Sequence, residues 1–117
     1  MTFEKKALES YKNIMGDDYN EFAKELIDTF LESSPNILDQ LKSALENNDP
    51  KTFERVAHSL KSNARTFGAN DLADIAFDLE KSGNSGNLTN LGDKVDKFEI
   101  EFRKFEFELR EFRNELN

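Results

Sequence analysis

The chain has 117 residues, a net charge of −8 and no cysteine, and its 37% apolar content includes eleven phenylalanines. That suits a single compact core spanning residues 1–117, with too little chain for a deep, two-sided cleft. The acidic balance excludes nucleic acid and anionic membrane as partners, and the missing thiols exclude disulfides, thiolate zinc sites and cysteine nucleophiles. Met1 is followed by Thr2-Phe3-Glu4-Lys5-Lys6 rather than an apolar leader, and no apolar run approaches the roughly 20 residues of a membrane span. A soluble, cytoplasmic protein is expected.

Proline and glycine punctuate the expected elements. A short first helix is expected from about Phe3 to Met15, ended by Gly16, with Phe3, Ala7, Leu8, Tyr11 and Ile14 as its apolar positions. A second covers about Asp18 to Glu32, with Phe22, Leu26, Ile27 and Phe30 facing inward. Ser34-Pro35 reads as the N-cap and first position of a third helix, which runs to about Asn47 on Leu38, Leu41 and Leu45. Asp49-Pro50 gives the same signal for a fourth, Pro50 to Phe67, carrying Phe53, Val56, Ala57, Leu60, Ala64 and Phe67 and stopped by Gly68. A fifth, about Asp71 to Ser82, uses Leu72, Ile75, Ala76 and Leu79. It is capped by Gly83, and the breaker-rich stretch 81–87 reads as a flexible loop.

The last helix has the most regular pattern: Leu91, Val95, Phe98, Phe102, Phe105, Leu109, Phe112 and Leu116 step alternately by four and three residues. Such a seam suits either a dimerising coiled coil or the closing helix of a bundle. The bundle is favoured, because the other amphipathic helices each need a covering partner; Ile100 and Phe107 lie off the seam. The expected fold is all-α, an antiparallel four-helix bundle with additional short N-terminal helices.

The only histidine, His58, follows the core position Ala57 by one residue and is therefore rotated about 100° from it. It shares a polar face with Glu54, Arg55, Lys61, Ser62 and Arg65, each three, four or seven residues away. A lone histidine on such a face is ordinarily surface decoration. Familiar catalytic arrangements fail on inventory. A convex helix face offers no oxyanion pocket for a Ser-His-Asp triad, and one histidine cannot supply a zinc or di-iron site. No glycine-rich phosphate loop is present, so the chain is no kinase by itself.

The string around this histidine is more specific than the histidine. His58-Ser59-Leu60-Lys61-Ser62-x-Ala64-x-x-Phe67-Gly68-Ala69-x-x-Leu72-Ala73-x-x-Ala76-x-x-Leu79-Glu80 closely resembles the signature of histidine-containing phosphotransfer (HPt) domains. The resemblance is dense over about Val56 to Glu80 and looser elsewhere. It departs from the family at Ser62, where glycine is usual; serine is still small, leaving room for a partner and a phosphoryl group.

The resemblance implies a phosphoryl carrier rather than an enzyme. His58 would accept the group from an aspartyl phosphate on a response-regulator receiver domain and pass it to another receiver. Lys61, and with less support Arg65, would offset the anionic charge, while Glu54 or a water would hold the other ring nitrogen. Arg55, His58, Lys61, Ser62 and Arg65 would meet the partner, with Phe67 and Gly68 structural. The expected partners are receivers and a sensor or hybrid histidine kinase. Mg²⁺ would come with the receiver, and the chain is expected to hold no metal or cofactor of its own and to be a monomer. The competing reading is a non-catalytic helical adaptor that docks a partner through the His58 face or the Phe-rich last helix.

Overall fold

A computed structural model describes residues 1–116. Two short helices, α1 (Lys5–Glu9) and α2 (Lys12–Met15), and a 3-10 turn (Gly16–Asp18) precede four long helices. These are α3 (Tyr19–Glu46), α4 (Pro50–Thr66), α5 (Asn70–Ser85) and α6 (Gly92–Glu115), and they run up and down as an antiparallel bundle. The expected all-α bundle with short N-terminal helices is the observed fold.

Phenylalanine supplies the centre of the core. Phe30 of α3 packs on Phe67, Phe102 and Phe105 with ring centroids 5.4, 5.9 and 5.5 Å apart, and Phe3 reaches Phe105 and Phe112 from the N-terminus. The whole α6 seam from Val95 to Leu116 is buried in this core, so it is not available as a dimerising stripe. Burying a phenylalanine stabilises by about 2–3 kcal/mol, several times an ordinary difference in helix propensity, so packing rather than propensity sets where the helices lie.

Three expected boundaries differ. The second and third expected helices are one, because α3 passes through Pro35. Proline removes an N–H and so leaves the carbonyl of Leu31 without its helical donor. The hydroxyl of the adjacent Ser34 lies 3.4 Å from that carbonyl and also donates to the buried carboxylate of Glu106 on α6. The core stripe Ile27, Phe30, Ser34, Leu38, Leu41 continues in phase across the proline, while Pro35 faces solvent. Ser34 is therefore a buried link between helices and not an N-cap.

The first expected helix is broken instead. Only Leu8 of α1 is buried, Ile14 is exposed, and the Ser10 hydroxyl bonds back to the carbonyl of Ala7 at 2.8 Å where the chain turns. Phe22 and Leu26 are likewise only half-buried, since these short helices cover the start of α3 incompletely.

The third difference lies at the end of α5, which continues through Gly83 to Ser85 and ends at Gly86. A Cβ on Gly83 would sit 2.8 Å from the backbone N and Cα of Glu54. The glycine is there to let α4 and α5 approach, not to stop a helix. Asp49 and Pro50 begin α4 as expected, with the Asp49 carboxylate accepting from the Thr52 N–H. Gly68 turns the chain after α4 at φ 73°, and a side chain there would press on Ala7 and the Glu4 carbonyl.

Candidate functional site

α4 presents His58 outward, with the imidazole 59% exposed, because its neighbours Ala57 and Leu60 take the buried positions. α5 returns antiparallel against it, and the close approach at Gly83 sets which residues meet. His58 and Glu80 each lie eleven residues from Ala69 in the connecting turn, Lys61 and Phe77 eight, Glu54 and Asn84 fifteen. All three pairs are in contact.

Glu80 is the hub. Its Oε2 lies 2.7 Å from His58 Nδ1, and its Oε1 lies 2.5 Å from Lys61 Nζ. Partial burial works to raise the Glu80 pKa, but the Lys61 ammonium and the imidazole together outweigh it and hold the carboxyl below the usual range. An ionised Glu80 accepts from an N–H at Nδ1, so the neutral ring carries its proton there. Nε2, the other nitrogen of this exposed ring, then keeps its lone pair. In that tautomer the ring has a free lone pair with which it can act as a nucleophile.

The structure places the sequence-derived residues unequally. Lys61 is buried, with its ammonium against Glu80 and 4.9 Å from the centre of the Phe77 ring, so it meets the histidine through the carboxylate. Ser62 and Arg65 are exposed on α4, one and two turns along from His58, and Arg55 is exposed on the preceding turn. Glu54 does not hold the ring: its carboxylate accepts from the Asn84 side-chain amide at 2.7 Å. Phe67 is buried among Phe30 and Phe105, and Gly68 is buried in the turn after α4. Glu80 ends the motif that resembles the family signature, and it, rather than the expected Glu54 one turn back on the same helix, meets the ring. Counting outward from the α4–α5 turn would have paired it with His58. Among the described residues, no group of three or more His, Asp or Glu is arranged to hold a metal ion, and no helix is long and apolar enough to cross a membrane.

The bundle presents one exposed histidine whose ring is held by a carboxylate from the neighbouring helix. The model of the Hpt domain family matches residues 25–116, and the chain belongs to that family. Its role is histidine phosphotransfer in phosphorelays. The crystal structure of histidine-containing phosphotransfer protein B (HptB) from Pseudomonas aeruginosa PAO1 is similar over 99% of this chain and 97% of its own, with 28% identity and a TM-score of 0.85. The HPT domain from the Hpt sensor hybrid histidine kinase from Shewanella covers the same shares at 17% identity with a TM-score of 0.80, a likeness of fold. No curated protein sequence matches the chain.

Proposed function

We propose that His58 is the residue phosphorylated, that the donor is the aspartyl phosphate of a receiver domain, and that a second receiver aspartate takes the group on. The observation that carries this is the Glu80 contact at Nδ1, which leaves Nε2 as the attacking atom. The Nε2 lone pair forms a bond to phosphorus as the P–O bond to the donor aspartate breaks, and that carboxylate leaves with the electron pair. The Nδ1 proton stays on the ring, and the positive charge that develops there lies against the Glu80 carboxylate. Transfer onward is the reverse step with a different carboxylate. Arg65, and Lys61 if it turns out of its resting contact, offset charge on the phosphoryl oxygens. The small Ser62 leaves room one turn above.

In this reading the chain is a carrier without enzymatic activity of its own, and Mg²⁺ is supplied with the receiver. The burial of the α6 seam supports a monomer, and a receiver or kinase partner supports a cytoplasmic site. It also weakens the alternative of an adaptor acting through the Phe-rich helix.

The test is labelling by a phosphorylated receiver in the presence of Mg²⁺. Acid-labile, base-stable phosphate is expected on the wild type and none on His58→Gln, with the circular dichroism of both unchanged. Label retained by His58→Gln would overturn the assignment.

A further inference from the structure

Most large apolar side chains exposed among the described residues lie on the N-terminal segment or on α6; Phe77 alone lies on α4 or α5, the helices that build the histidine site. It is 41% exposed and stands one turn before Glu80. Two ammonium groups lie against its ring: Lys61 at 4.9 Å and Lys81 at 4.6 Å from the centroid. The first of these is the same Lys61 that pairs with Glu80, so the ring adjoins the His58 site directly.

We propose that Phe77 is the apolar anchor on which a receiver domain seats when it exchanges phosphate with His58. The inference rests on the reading of His58 given above and names where its partner binds. An aromatic side chain restrained by neighbouring cations loses little freedom on docking and offers a large area to desolvate, the usual make-up of an interface hot spot. Lys81, which also pairs with Asp78 at 3.4 Å, lies against the ring, and Arg55 and Arg65 are exposed on α4 before and after His58, a rim of cations about the site on a chain whose net charge is −8. A protein surface that holds both an aspartyl phosphate and Mg²⁺ must carry several oxygen anions, and this rim complements it in sign. Phe77 adds affinity at the centre, while the cations add encounter rate and orientation.

The competing role for Phe77 is indirect, with the ring holding Lys61 against Glu80 and so tuning His58. The two roles separate experimentally. Initial rates of transfer from a receiver phosphorylated with acetyl phosphate and Mg²⁺ are measured against the concentration of the full chain, for wild type, Phe77→Ala and Phe77→Met. Labelling by phosphoramidate, a donor too small to need a docking surface, is measured in parallel. The anchor predicts that Phe77→Ala raises the half-saturating concentration about tenfold or more. The plateau rate and phosphoramidate labelling should stay within about twofold of wild type, and Phe77→Met, which keeps an apolar side chain, should recover most of the loss.

Equal losses with both donors would assign Phe77 to positioning Lys61 and overturn the anchor. An unchanged half-saturating concentration would overturn it as well. If wild type accepts phosphate from no receiver and from no small donor, the reading of His58 fails first and the anchor falls with it. Labelling of wild type with no effect at Phe77 sinks the anchor alone.

Discussion

His58 and Glu80, on different helices and twenty-two residues apart, meet at 2.7 Å because α4 and α5 fold back about Ala69 in equal lengths. The chemistry of the site follows from that register: which ring nitrogen meets the carboxylate, and where Lys61 delivers its charge.

Removing the Glu80 side chain should therefore damage transfer without removing the nucleophile. Glu80→Ala is expected to slow single-turnover transfer by about 10²-fold, the scale of a misplaced reacting group. Glu80→Gln keeps an oxygen for the Nδ1 proton and should lose much less. Nitrogen NMR of the imidazole checks the cause: the Nδ1–H tautomer should dominate in wild type and give way to a mixture in Glu80→Ala. An unaltered tautomer in that variant would contradict this account.

Acid should erase the contribution of the same carboxylate to stability. The folded-state pKa of Glu80 is held below its ordinary value by Lys61 and His58, against the opposing effect of burial. A depressed carboxyl stabilises the fold fully above its unfolded pKa and loses that contribution as pH falls through the folded one. In urea titrations, wild type should exceed Glu80→Gln near pH 6–7, and the gap should close below about pH 4, the usual carboxylate range. A gap that persisted or widened below about pH 4 would show the sign to be wrong.

Gly83 is predicted to control the site from outside it. Gly83→Ala places a Cβ 2.8 Å from the Glu54 backbone, so α5 must move away from α4. The expected cost is about 1–3 kcal/mol of stability, as for other overpacked contacts. Transfer by the folded fraction should fall too, because the shift draws Glu80 from His58. Asn84→Ala, which loses only the hydrogen bond to Glu54, should leave the transfer rate near wild type and serves as the control.

The link between Ser34 and Glu106 makes a prediction about the core. Glu106 is 3% exposed, bonded by Ser34 and by Arg103 at 2.9 Å. Ser34→Ala leaves a buried carboxylate short of a donor and should destabilise by about 1–3 kcal/mol. Replacing both partners with apolar residues, Ser34→Ala with Glu106→Leu, should recover most or all of that loss, since a buried polar pair is often no more stable than an apolar one. A double mutant less stable than Ser34→Ala would show that the pair is needed for more than its own satisfaction. Thermal denaturation of wild type and the two variants decides it.

Much of this protein was legible along the chain. The helical periodicities, the Asp49-Pro50 start and the turn at Gly68 are local signals, written within a few residues of where they act. The motif from His58 to Glu80 is also local to one helical hairpin, which is why the family was recognisable from it. The structure departs from the local pattern where distant packing overrides a local rule. Ser34-Pro35 looks like a helix start, but Glu106, seventy-two residues on, holds the serine inside a continuous helix. Gly83 looks like a helix end, but its bare Cα is required by the Glu54 backbone on another helix.

The sequence alone determined an acidic helical bundle with one exposed histidine, because rotation about a helix axis depends only on residue spacing. The tertiary structure decided which carboxylate holds that histidine and turned Lys61 inward. It also left Phe77 as the one large apolar side chain standing exposed on the two helices of the site. Those outcomes depend on the register and separation of two helices, which a turn and one close glycine contact set jointly and no single segment encodes.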